Sequence, residues 1–276
     1  VDINEKIISL QGNHAILTIP SAEGEVFLEC TSQKIPFGYL GTSTDNRKAL
    51  VIKPDGAYFV KTYSGKEDKN VLSANFQVDL RNRQRVKTNI VFNNKGSFYN
   101  EIFSIDVNNR KEMDSYLKNL FSSLKNMVIV DYKASNDKEH FLFKEEIRLE
   151  SDFLGSKMGN DYLITVSPFL NLVNKPKAYK TRTTPFSIQR GKTYEIMTEF
   201  LIPEGYSVSQ RPEIKTVETK FGFHSMDIQY NENKITVTEK FILKTGDYSK
   251  EDYALYQKFV TDVRMNNNSK FIISKI

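Results

Sequence analysis

The chain has 276 residues, 39% hydrophobic and 26% charged, which is globular composition with room for one large domain or two to three ordinary ones. Its net charge of +5 is spread along the chain and no apolar run reaches membrane-spanning length, so neither a nucleic-acid binder nor a helical membrane protein is indicated. One cysteine excludes an internal disulfide, and 14 tyrosines with 19 phenylalanines, but no tryptophan, supply the aromatic mass of a β-sheet core.

The chain opens at Val1 with no signal peptide, as a processed product or a remnant of something longer would. A short apolar run, Ile7 to Leu10, reads as a strand ending at Gly12. Two β-prone runs follow, His14 to Ile19 and Glu25 to Cys30, separated by the turn-rich Pro20 to Gly24, and they read as a hairpin. A turn centred on Ala22–Glu23 sets His14 opposite Thr31 and diagonal to Glu29, on one face. A turn one residue earlier sets His14 directly opposite Glu29, and a half-step register between the two puts them on opposite faces.

An imidazole backed by a carboxylate is what a thiol nucleophile needs: the histidine takes the proton, and the acid fixes its tautomer. The same residue types also describe a partly exposed strand histidine with a surface glutamate beyond it, the commoner arrangement. Cys30 adjoins Glu29 on one strand and so points the other way. It reads as a buried structural thiol, not as the nucleophile.

Pro36 to Gly41 is an aromatic loop, and Ala49 to Ile52 with Ala57 to Val60 form a second hairpin about Lys53–Gly56. A polar linker, Ser64–Asn70, closes this part. From Val71 an antiparallel β pattern begins, with Leu72, Ala74, Phe76, Val78 and Leu80 alternating, and Val86 to Phe92 as the next strand. Arg81, Arg83, Arg85 and Lys87 alternate as a solvated strand edge would, without the aromatic platform of a nucleic-acid site. Met113, Leu117, Leu120, Phe121 and Leu124 make the apolar stripe of a helix over Lys111–Met127. Strands resume at Val128–Tyr132, Phe141–Leu149 and Tyr162–Val166. Phe141, Phe143, Glu145, Ile147 and Leu149 share a face by parity. Pro168 to Arg182, with Lys175, Lys177, Lys180 and Arg182, is a basic loop, solvated by default, with an anion or glycan contact as the second reading.

The last stretch offers strands at Thr193–Ile202, Glu213–Phe221, Phe223–Tyr230 and Lys234–Leu243. A helix capped by Ser249, with Asp252 three residues on, buries Tyr253, Tyr256, Phe259, Val260 and Val263, and Phe271–Ile273 closes the chain. The fold class expected is mainly β (α+β), with antiparallel sandwich-like domains and two amphipathic helices. The parts expected are 1–66, 67–182 and 183–276. His140 and His224 have no Cys, Asp or Glu at ligand spacing, so no metal site is expected. Asp137, Glu139, Glu145, Glu146 and Glu150 read as an acidic surface patch, and Asn267-Asn268-Ser269 as a chance sequon. No phosphate-binding glycine loop or nucleophile-elbow serine occurs, so no cofactor is indicated.

Two groups of motifs resemble a known family. Asn13 to Leu17 (NHAIL), then FLECTSQ from Phe27, PFGYLG from Pro36 and NRKALVI from Asn46, look like the end of a bacterial transglutaminase-like core, of the papain-type Cys-His-Asp superfamily. There the histidine opens one strand and the aspartate ends the next, often as W-L-D-x-T. Phe27 replaces the tryptophan, Glu29 replaces the aspartate, one methylene longer, and Thr31 matches. LIPEGYSVSQRP from Leu201, KFGFHSMDIQY from Lys220, DYSKEDYALYQKFV from Asp247 and FIISK from Phe271 look like the uncharacterised β-rich domain that follows such cores.

The resemblance implies that His14 is a general base and Glu29 its orienting acid. The nucleophilic cysteine would lie upstream, in a missing N-terminal part that is this chain's first partner. The intact protein, secreted or periplasmic, would perform thiol-dependent acyl transfer or peptide hydrolysis, and residues 1–276 alone would be inactive. The rival reading is a non-catalytic binding or adhesion module for a surface glycan or protein, with 1–66 purely structural.

Overall fold

Alternation of apolar with polar side chains decides where most strands lie, and the protein is mainly β, with 45% of the described residues in strands and 12% in helices. The computed structural model describes residues 3–4, 6–7, 9, 11–22, 24–63, 65–82, 84–106, 109–179 and 182–276. Val1, together with Ile8 and Leu10 of the run Ile7–Leu10, Glu23 of the hairpin turn, Ser64 of the linker, and the basic residues Arg83 and Lys180 lie outside these.

Two hairpins lead the chain: β1 (Leu17–Ser21) with β2 (Gly24–Leu28), and β3 (Lys48–Lys53) with β4 (Gly56–Lys61). β5 (Val71–Asp79) buries Leu72, Ala74, Phe76 and Val78, as its alternation dictates, and β6 (Val86–Lys95) buries every second residue from Val86. The sequence predicts two helices; the structure adds a third, α1 (Ser97–Ile102), too short to print a helical period. α2 (Arg110–Leu120) is capped by the Asn109 side chain, which accepts from the Lys111 and Glu112 amides. It stops at Leu120, short of the expected Met127, and a chain of turns takes Phe121 and Leu124 into the core. β7 (Val128–Asp137), β8 (Leu142–Ser151), β9 (Gly155–Met158) and β10 (Asp161–Thr165) follow.

The remaining strands are β11 (Phe186–Ile188), β12 (Lys192–Leu201), β13 (Tyr206–Gln210), β14 (Val217–Thr219), β15 (Gly222–Asn231), β16 (Lys234–Leu243) and β17 (Gly246–Tyr248). Helix α3 (Tyr253–Asn267) then leads into β18 (Lys270–Lys275). α3 begins after Asp252, not at Ser249. The Asp252 carboxylate reaches back to the Ser249 amide at 3.2 Å, which is half of the expected capping box.

Eight strands form the main sheet in the order β14-β15-β16-β12-β5-β6-β8-β7, antiparallel except where β12 runs parallel to β5. A four-stranded sheet, β13-β18-β10-β9, lies across it: Phe200 of β12 meets Phe271 of β18 edge-on at 5.4 Å. The helical segments extend that second layer. Phe259 of α3 lies over Phe241 of β16, and Phe121, after α2, over Phe92 of β6. The stretches 67–182 and 183–276 are therefore halves of one sandwich, since both sheets draw strands from each and one core runs through both.

The loop before β3 docks the leading hairpins on this body. Tyr39 is buried against Tyr99, Phe103 and Phe141, and its hydroxyl donates to the Gly96 carbonyl at 3.0 Å. Asp45 pairs with Arg190 at 2.5 Å.

Candidate functional site

The β1–β2 hairpin takes the register in which Leu17 faces Leu28 and Ser21 faces Gly24. This is the register of a turn centred on residues 22–23. Continued outward, it sets His14 opposite Thr31 and diagonal to Glu29. His14 itself lies three residues before β1, outside any strand, not at the strand's head. The diagonal contact forms nonetheless: His14 Nε2 lies 2.8 Å from Glu29 Oε2. The other carboxylate oxygen accepts from the Thr31 hydroxyl at 2.7 Å and the Thr31 amide at 3.2 Å. The threonine of the resembled motif thus clasps the acid.

The two side chains differ in exposure: Glu29 is 4% exposed and His14 39%. Burial by itself would raise the Glu29 carboxyl, but the hydrogen bonds from His14 and Thr31 outweigh it and hold the group below its ordinary range. The acid is therefore an anchored anion at neutral pH. The imidazole leans on it with one nitrogen, while Nδ1 has no partner among the described residues. Such a dyad can accept a proton at Nδ1 and steady the resulting imidazolium.

Cys30 is exposed, not buried as the sequence reading has it, and its thiol points to the Leu28 carbonyl at 3.6 Å. A position past the end of β2 explains the difference. Around the dyad, Thr18 donates to Glu25 at 3.0 Å across the hairpin, and the Tyr58 hydroxyl of β4 also reaches Glu25, tying the two hairpins together.

The remaining candidates separate cleanly. His140 pairs with Asp137 at 2.9 Å on the surface. Glu145, expected in an acidic surface patch, is fully buried, with Asn94, Tyr132 and Tyr116 donating to it at 2.8, 3.2 and 3.3 Å. Strand parity overrides composition there, since Phe143, Ile147 and Leu149 carry that face into the core.

His224, which has no obvious partner by spacing, bonds Glu239 at 2.8 Å, and both are buried. They lie diagonally across the β15–β16 hairpin, where His224 faces Phe241, just as His14 and Glu29 do across theirs. Both pairs are 15 residues apart in the chain. The turn Asn231–Asn233, with its register worked out, carries the signal that would find the second pair. Among the described residues no group of three or more His, Cys, Asp or Glu could hold a metal ion, and no helix is long and apolar enough to cross a membrane.

Residues 160–273 match the profile of a domain of unknown function for which a solved structure exists (DUF3858). The match opens just before β10 and closes within β18, so it takes in β10 through α3 and leaves β5 to β9 outside. No curated protein and no solved structure matches the chain.

Proposed function

We propose that His14 and Glu29 are the base and orienting acid of a thiol-dependent acyl-transfer or peptide-hydrolysis centre of the transglutaminase-like type, completed by a cysteine outside residues 1–276. The observation that carries this reading is the 2.8 Å contact from His14 Nε2 to a Glu29 carboxylate that is itself clasped by Thr31. Both carboxylate oxygens are occupied, and the Glu29 side chain is shielded by the partners that occupy them.

The setting supports it. β1–β2 and β3–β4 are separate two-stranded sheets, a marginal state in water. Leu17, Ile19, Leu50, Ile52 and Phe59 stand exposed on them. These faces and unpaired edges suit packing against further structure, in which the resemblance puts the thiol at a helix N-terminus. In that arrangement His14 takes the thiol proton through Nδ1, the thiolate attacks the acyl carbon, and the imidazolium returns the proton to the leaving amine. Glu29 holds the ring throughout.

The test uses the complete gene product, labelled with iodoacetamide at neutral pH. Cys30, exposed as it is, is replaced by serine beforehand. Selective labelling of one further cysteine, slowed about 100-fold by His14→Ala and less by Glu29→Gln, is the expected result. A product with no further cysteine, or labelling indifferent to His14→Ala, sinks the reading.

A further inference from the structure

A cleft of about 360 Å³ opens where the turn after α2, the loop after β10 and the end of α3 converge. Its size falls in the range of small-ligand sites. The lining is chemically one-sided: among the described residues Arg264 is its only charged one, and Ser122, Ser123, Asn171 and Asn268 are among its polar ones. Phe169 and Leu172, both buried, give it an apolar floor.

The polar groups are fixed in place. Arg264 Nη1 donates to the Val173 carbonyl at 3.3 Å and to Asn171 Oδ1 at 3.5 Å, which orients the guanidinium. Nε and Nη2 have no hydrogen-bond partner among the described residues. That leaves a two-donor edge suited to a bidentate acceptor.

On the inner wall Ser167 donates its hydroxyl proton to Glu239 at 2.7 Å, so its oxygen is left to accept. Glu239 is held by His224, and His224 Nδ1 by Asn266 Nδ2 at 3.1 Å. Asn266 also donates to the Lys215 carbonyl at 2.7 Å, which fixes its amide so that His224 accepts at Nδ1 and donates from Nε2 to Glu239. A buried carboxylate–imidazole pair is a costly way to hold a core together. Here it sets the direction of a hydroxyl at the wall of a cleft.

We infer that this cleft binds a sugar acid, with the carboxylate on the Arg264 edge, hydroxyls on Ser167 and its polar neighbours, and the ring's C–H face on Phe169 and Leu172. A single arginine, with no second cation among the described lining residues, suits a singly charged carboxylate better than a phosphate dianion. The C-terminal end of α3 opposes any anion, but its last carbonyls are capped by Asn268 and Ser269. The dipole's effect also falls off within a turn and is weaker than two charge-assisted hydrogen bonds. The inference is independent of the His14–Glu29 centre. A free sugar acid and the terminal uronate of a polysaccharide share the recognised chemistry.

Amide NMR titration of the 276-residue chain with D-glucuronate is the test, with D-glucose, acetate, inorganic phosphate and a uronate-terminated disaccharide as further arms. Glucuronate at millimolar concentration is expected to shift resonances of 167–173 and 263–268, with glucose at least about tenfold weaker. Arg264→Gln should weaken glucuronate by about tenfold or more. Ser122→Trp, an exposed position at the rim, should block all ligands while leaving the remaining spectrum in place. A disaccharide that binds more tightly than glucuronate points to a polysaccharide, and equal binding to the free acid. Absent or scattered shifts, glucose or acetate binding as well as glucuronate, tighter binding of phosphate, or indifference to Ser122→Trp each overturn the assignment.

Discussion

Glu145 is a fully buried carboxylate whose neighbours are all neutral donors: Asn94 on β6, Tyr116 on α2 and Tyr132 on β7. Its ordinary value is 4.5, and burial pushes it up to about 7 against the pull of those three hydrogen bonds. Glu101, whose charge acts on Tyr116, is the further acidic group on this side, and its carboxylate is engaged by Lys192. The folded protein therefore binds this proton more tightly than the unfolded chain. The stability it contributes is present below 4.5 and is lost as pH rises through 7, on the order of 3 kcal/mol in all. Glu29 has the opposite sign: held below its ordinary range, it stabilises above that range and the contribution fades in acid. Urea unfolding at several pH values separates the two, because Glu145→Gln keeps the shape and removes the charge. The variant should be the more stable protein above about pH 7 and converge on the parent near about pH 5. Parallel pH curves for the two proteins would rule this out.

Among elements, α1 shows how a short helix is set by groups far away in sequence. The Ser97 amide donates to the Asn70 side chain at 2.8 Å, and the Asn70 amide group donates to the Gly65 and Gly191 carbonyls. Gly96, just before the helix, has φ of 60°. A Cβ there would meet Asn70 Oδ1 and the Lys69 carbonyl oxygen at 2.4 Å each. Gly96→Ala combines left-handed backbone with a clash against fixed atoms, so it should cost about 2 kcal/mol or more in urea unfolding. A loss within a few tenths of a kcal/mol would mean that the turn relaxes. None of this is legible in the sequence, because Asn70 and Ser97 carry no local mark of their pairing. The β1–β2 register, by contrast, follows from the turn at residues 22–23, and with it the reach of Glu29 to His14. Parity alone places Glu145 on the core face beside Phe143 and Ile147. Its reading as surface follows charge where alternation is the stronger signal.

At the scale of the whole molecule the decisive contact is the parallel seam of β5 with β12, nine residue pairs from Val71–Thr193 to Asp79–Leu201. Parallel pairing between strands so far apart leaves no turn in the sequence to announce it, so a boundary at 182/183 is natural to expect there. The segment 160–273 poses the same question from the other side. Excised, it keeps β12 with β16, yet it loses the β5 ladder and the layer of Phe76 and Phe92 beside it. Phe169, which stacks on Phe76 at 4.3 Å, would then face water, as would one edge of β12. Burying each such phenylalanine is worth about 1.5–3 kcal/mol, and a domain's whole margin is about 5–15 kcal/mol. Residues 160–273 alone should therefore give a collapsed or aggregating product with poor amide dispersion, whereas 67–276 should unfold in one cooperative transition. A dispersed spectrum and a sharp, reversible transition from 160–273 alone would mean that the seam joins two independent folds.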